Sequence, residues 1–259
     1  MCGRFALIHT RQDIERFFAV AGVEAFPPRY NIAPTQPVMV VTAAPERPVG
    51  SNLPDRDAVL MRWGLLPSWV KDPKDFPLLI NARAETAATK NAFRASMRHR
   101  RCIIPASGFY EWKRDKPSRQ SQAYWIRSPG GGPIGLAGLH ETWIGKDGSE
   151  IDTCAILTTA APADISQIHH RVPVPLAPED YARWLDCRAY GPADVADLLA
   201  TPEQGVFEAV AISDRVNKVA NSGPDLLEPV EPKVFAARPG DKPVANGDDD
   251  GDDEQPSLF

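Results

Sequence analysis

Apolar positions recur along this chain at two spacings, and the strand-like spacing dominates. Thr10-Arg11-Gln12-Asp13 has the form of a capping box, and Ile14, Phe17 and Phe18 follow at helical intervals, which predicts a short helix over roughly residues 11–20. Pro27-Pro28 closes that segment. Val38-Met39-Val40-Val41 and Val59-Leu60-Met61-Arg62-Trp63 then read as strands, separated by a proline-bearing surface loop over 45–57. Residues 64–79, interrupted by prolines, read as a long irregular segment that contains Trp69. The Ala-rich stretch from Glu85 to Met97, with Ala88, Ala92, Phe93 and Met97 as apolar positions, predicts one helix.

Further strands are predicted at Cys102 to Pro105, Gly108 to Trp112, Ala123 to Ile126, Ile134 to Leu139, Cys154 to Thr159 and Val206 to Ile212, with a basic hairpin loop over Lys113 to Arg119. Short helices are expected after Pro178 and Pro192, since proline suits a first helical turn. Many short strands and few helices exclude a doubly wound sheet, in which strands alternate with long helices. The expected fold is α+β: a mainly antiparallel, partly closed sheet with peripheral helices. One domain is expected over residues 1–232. The remainder, 233–259, ends in the acidic run Asp248-Asp249-Asp250-Gly251-Asp252-Asp253-Glu254 and is expected to be a disordered tail.

Composition narrows the function classes. With 43% hydrophobic residues in 259, the chain can bury a sizeable core. It has no apolar run of membrane-spanning length and no signal-like start, so a cytoplasmic protein, associated with the nucleoid when bound to DNA, is expected. Cys2, Cys102, Cys154 and Cys187 lie far apart, without a Cys-x-x-Cys pair, and read as free thiols rather than zinc ligands. Cys154 falls in an apolar run, as a small buried hydrophobe would. The formal charge of −5 conceals an asymmetry: residues 1–127 carry 20 lysines and arginines against 11 acids, whereas 128–259 carry 9 against 23. Basic charge concentrated in the first half could attract a polyanion, and a merely uneven surface charge is the plain alternative.

Four places carry candidate chemistry. Cys2 becomes the N-terminal residue if Met1 is trimmed, which would place an α-amine and a thiol on one short framework. An α-amine has a pKa near about 8, against about 10.4 for lysine, so a useful fraction is unprotonated at neutral pH. It can condense with an aldehyde to an imine, and the thiol can close onto the same carbon to give a thiazolidine. In Ile80-Asn81-Ala82-Arg83, the amide and the guanidinium alternate onto one side of an extended stretch, where they could hold a polar group and a phosphate. A strand end with a surface arginine is the plain alternative.

Glu111 sits among aromatic residues in Gly108-Phe109-Tyr110-Glu111-Trp112, where burial would suit it to proton transfer. A solvent-facing strand position is the alternative. Of His169-His170, adjacent on extended backbone, one can face a site. Basic and aromatic residues also interleave, among them Arg62, Trp63, Trp69, Lys71, Lys74, Trp112, Lys113 and Arg114, as single-stranded nucleic acid requires. Trp69 in its irregular loop suits stacking better than Trp63, which lies in an apolar strand pattern.

In order along the chain, Met1-Cys2-Gly3-Arg4-Phe5, Arg29-Tyr30-Asn31-Ile32-Ala33-Pro34, Trp63-Gly64-Leu65, Asn81-Ala82-Arg83-Ala84-Glu85-Thr86, Gly108-Phe109-Tyr110-Glu111-Trp112, the His169 loop and Val219-Ala220-Asn221 with Gly223-Pro224 resemble the SOS response-associated peptidase (SRAP) family. That resemblance implies a single SRAP domain with a DNA-binding cleft that forms a thiazolidine cross-link with abasic sites in single-stranded DNA. It implies catalytic roles for Cys2, Asn81, Glu111 and His169, and DNA contacts for Arg4, Trp63, Trp69 and Arg83. It also implies removal of Met1 by the protein itself, a side activity of strand cleavage, no cofactor and no metal. A monomer is expected. Val70 stands where a family member carries a second tryptophan after Trp69. The competing classes are a peptidase acting on other proteins, a non-covalent single-stranded DNA-binding module, and a structural protein with an uneven surface.

Overall fold

The strands form two sheets where one was expected. The computed structural model describes residues 2–24, 26–115 and 120–235. In chain order its strands are β1 (Phe5–Leu7), β2 (Arg29–Ile32), β3 (Pro37–Ala43), β4 (Arg56–Trp63), β5 (Asn81–Arg83), β6 (Arg101–Ala106) and β7 (Gly108–Asp115). Then come β8 (Gln120–Arg127), β9 (Ile134–Ile144), β10 (Glu150–Ala160), β11 (Arg171–Pro173), β12 (Pro175–Leu176) and β13 (Glu208–Ile212). The short helices are α1 (Arg11–Phe18), α2 (Ala84–Ala87), α3 (Arg94–His99), α4 (Ala163–Ser166) and α5 (Tyr181–Leu185).

The first sheet has the order β13-β8-β7-β1-β2. In the second, β10, β4, β3, β6 and β9 pair in succession and β9 pairs again with β10, which closes a ring. The expectation of a partly closed, mainly antiparallel sheet is met here. The exceptions are β4 and β5, which both run parallel to β10. Ring and flanking sheet share a core that includes Phe5, Trp63, Cys102, Phe109 and Cys154, all at most 1% exposed.

α1 follows from its sequence: Thr10 Oγ1 accepts from the Asp13 amide at 3.2 Å, Asp13 Oδ2 accepts from the Thr10 amide at 3.3 Å, and Ile14 and Phe18 are buried. The single helix expected over 85–97 is instead two short ones, α2 and α3. The Thr89 amide and Thr89 Oγ1 both donate to the Thr86 carbonyl, and the Phe93 amide donates to the Lys90 carbonyl, three-residue bonds that compete with helix continuation although the Lys90 amide keeps its helical bond to Thr86. Residues 64–79 are irregular as expected, with one 3-10 turn at Pro73–Asp75. The basic loop lies partly, and the acidic tail from 236 onward, outside the described residues. No helix among the described residues is long and apolar enough to cross a membrane.

Candidate active site

Cys2 precedes β1 and is fully buried. The Tyr110 amide donates to the Arg4 carbonyl at 2.9 Å, which extends the β1–β7 pairing of Phe5 with Phe109 toward Cys2. From the other sheet, Asn81 Nδ2 donates to the Cys2 carbonyl at 2.8 Å. Asn81 is placed by the pairing of β5 with β10, in register with Ile156. The chain start is therefore gripped by one strand of each sheet.

Asn81 and Glu111 both act on Cys2, and His169 lies beside Glu111. Glu111 is 3% exposed, and its Oε1 lies 4.0 Å from His169 Nδ1. The Asn81 amide must point its nitrogen at the Cys2 carbonyl, since only the NH2 group can donate there, and this leaves Oδ1 buried with no hydrogen-bond partner among the described residues. An unsatisfied buried acceptor costs about 1–3 kcal/mol, so the position favours a ligand that brings a donor. His169 Nδ1 lies between two groups of one residue: the Arg171 amide at 3.1 Å and the Arg171 carbonyl at 2.9 Å. A neutral ring with its proton on Nε2 accepts from the first, and a protonated ring donates to the second.

Burial, and secondarily the charge of Glu111, pushes the Cys2 thiol well above its ordinary pKa. It is a neutral thiol near pH 7, the opposite of the electropositive, partly exposed setting that generates a thiolate nucleophile.

A family model described as SOS response associated peptidase (SRAP) matches residues 1–219. The chain belongs to the SRAP family. Relatives of this SRAP chain include the abasic site processing protein YoqW of Bacillus subtilis, 37% identical over 233 residues, covering 88% of this chain and 99% of that protein. The abasic site processing protein YedK of Escherichia coli is 34% identical over 239 residues, covering 89% and 100%. A crystal structure of a protein from Bacteroides thetaiotaomicron shares the fold with a TM-score of 0.78 at 23% identity, covering 89% of this chain and all of that one.

Within this SRAP fold the expected DNA-contacting residues separate into two groups. Arg83 is exposed at the end of β5, two residues beyond buried Asn81. Trp69 is 53% exposed, packs edge-on against Phe76 at 5.4 Å, and lines a surface hollow with Lys71. Trp63 and Arg4 are both buried among the described residues. Trp63 is fully buried, its indole N–H donates to the Ile80 carbonyl at 3.0 Å and its ring meets Phe5 at 5.1 Å, so it presents no face to a base. The burial of Trp63 follows the apolar pattern of β4. Arg4 is 5% exposed: Nη1 donates to Asn31 Oδ1 at 2.8 Å and to the Val216 carbonyl at 3.0 Å, and Nη2 reaches the Asn217 carbonyl at 3.5 Å. In this structure it is an internal tie rather than an open phosphate ligand.

Asn31 was missed as a site-building residue. Its Nδ2 donates to the carbonyls of Val216, Lys218 and Asn221, at 3.2, 3.1 and 2.9 Å, and so fastens a distant loop behind Arg4. Its place beside Tyr30 in the Arg29-to-Pro34 motif was the only signal. Arg171, adjoining the His169 pair, was likewise assigned no role. It is 9% exposed and forks onto Glu85 with contacts of 3.1 and 2.8 Å.

Proposed function

We propose that this SRAP protein captures abasic sites in single-stranded DNA as a covalent adduct of Cys2, formed after Met1 is removed. The observation that carries the reading is the Cys2 backbone held by Asn81 at 2.8 Å, beside the Glu111–His169 pair and an unsatisfied Asn81 Oδ1. The names of the relatives support the same substrate.

The chemistry proceeds in balanced steps. Water, with Glu111 as proton acceptor, hydrolyses the Met1–Cys2 bond and frees the α-amine. The amine attacks C1′ of the ring-opened sugar aldehyde, and proton transfer to the oxygen gives a carbinolamine. Water leaves to form the imine. The Cys2 sulfur then attacks that carbon while its proton passes to the nitrogen, closing a thiazolidine, so aldehyde and aminothiol combine with loss of one water. In this order the amine initiates and the thiol follows in an intramolecular step that needs no standing thiolate. Asn81 Oδ1 would accept a hydroxyl proton of the open sugar, and His169 would move protons during ring opening and reversal. The imine stage also permits elimination of the 3′ phosphate, a minor lyase activity. The same buried thiol weighs against a peptidase that turns over other proteins, which would need a thiolate.

Intact-mass measurement tests the reading. Wild-type protein lacking Met1, mixed with a uracil-containing single-stranded oligonucleotide after uracil excision, is expected to gain the mass of the oligonucleotide less one water. Cys2→Ala is expected to form no stable adduct. Retention of Met1 together with full adduct yield would overturn the assignment, as would an adduct in Cys2→Ala equal to that of the wild type.

A further inference from the structure

The fork between Arg171 and Glu85 lies outside the steps above, yet it joins two parts of the site. Glu85 is in α2, directly after the β5 segment that carries Asn81 and Arg83. Arg171 opens β11 and pairs with Ala160 of β10. Its guanidinium is largely buried: Nη1 and Nη2 donate to the two Glu85 oxygens at 3.1 and 2.8 Å, Nε reaches Thr158 Oγ1 at 3.3 Å, and Nη2 also donates to the Thr158 carbonyl at 2.6 Å. Planar bidentate pairing of this kind fixes orientation as well as distance. The backbone of the same residue supplies both groups around His169 Nδ1.

From this arrangement we infer that Glu85 and Arg171 are a positioning pair for His169: the fork locks the Arg171 backbone, and that backbone holds the imidazole whether the ring is neutral or protonated. The inference rests on the proton-transfer role proposed for His169. A histidine that gains and loses a proton during a reaction must keep its aim in both states, and a single amide–carbonyl pair does this without rotation of the ring. The charged and titratable groups facing the ring are Glu111 from β7, His170, whose ring stacks on it at 4.5 Å, and Arg171 itself with Glu85 behind it.

Glu85 is half exposed, so its substitution is tolerated by the core. Three measurements on Glu85→Ala, Glu85→Gln and Glu85→Asp test the pair. At saturating abasic-site oligonucleotide, adduct formation is expected to slow about ten-fold in Glu85→Ala and Glu85→Gln, part of what a positioned acid–base group contributes, and Glu85→Asp is expected to recover most of the rate. Affinity for an oligonucleotide bearing a non-reactive tetrahydrofuran abasic analogue is expected to stay at the wild-type value. The imidazole nitrogen-15 signals of His169, assigned with His169→Gln, are expected to show Nδ1 as acceptor and Nε2 protonated in neutral wild-type protein, and to move toward averaged tautomers in Glu85→Ala. Unchanged rate and unchanged nitrogen signals overturn the inference. So does weaker binding with the saturated rate intact, which would make the pair part of the DNA contact instead. If the wild type forms no adduct, the functional reading fails, while the nitrogen signals still decide whether Glu85 positions the ring.

Discussion

Trp63 and Trp69 carry the same side chain into opposite environments, and only the pattern of their neighbours distinguishes them in the sequence. Trp63 ends a run of strand formers and is wholly enclosed, whereas Trp69 stands among prolines and charged residues and is 53% exposed. Trp63→Phe removes part of a packed ring and one of the two donors to the Ile80 carbonyl, which keeps the Ile156 amide at 3.0 Å, so a loss of about 1–3 kcal/mol in urea unfolding is expected. Trp69→Ala is expected to leave stability within about 1 kcal/mol but to weaken single-stranded DNA binding by about 1–3 kcal/mol, the worth of one stacked base. Equal binding by Trp69→Ala and wild type would remove Trp69 from the interface. Asn81 and Glu111 were legible because amide and carboxylate stand out in apolar or aromatic strands. Asn31 was not, because the loop carbonyls it binds lie about 190 residues away, and a surface turn would use the same residue type.

At the scale of elements, what could be read depended on length and local chemistry. α1 was legible from its capping box, and the longer strands from their apolar runs. β1, β5 and β11, three residues each, are too short for a period to show, yet they bring Cys2, Asn81 and Arg171 to the site. Their positions are set by partners in β7 and β10, which sequence spacing does not encode. The irregular stretch after β4 begins at Gly64, which has φ of +133° and whose amide donates to the Cys154 carbonyl at 2.8 Å. A β-carbon there would stand 2.4 Å from Leu78 Cδ1. Leu78 can move, but the backbone conformation cannot be made comfortable for an L side chain. Gly64→Ala is expected to cost about 1–3 kcal/mol, read as a lowered thermal midpoint. An unchanged midpoint would show that this turn relaxes freely.

For the whole molecule, the decisive property is that the segment from Cys2 to Arg4 is held by a strand of each sheet while the charge is unevenly divided between the two halves of the sequence. If Cys2 is the terminal nucleophile proposed above, a mobile segment would have to be oriented at an entropic cost in every reaction cycle. Pairing with β7 on one side and the Asn81 contact on the other remove that cost during folding. The charge asymmetry was visible from residue counts, but its placement was not: Arg83, Lys90, Arg94 and Arg98 are exposed on and after β5, and Lys71 and Lys74 are exposed near Trp69. If these cations line the path of the strand, affinity must fall with salt, because each neutralised phosphate of single-stranded DNA releases about 0.7 of a counterion. Arg83→Ala is therefore expected to reduce the slope of log K against log salt by about 0.7. Arg188→Ala, which removes an exposed guanidinium that lies 4.0 Å from Glu46, is expected to leave that slope at the wild-type value. Equal slopes for Arg83→Ala and wild type would place the phosphates elsewhere, and a matching drop in Arg188→Ala would mean that net charge, rather than a defined path, attracts the DNA.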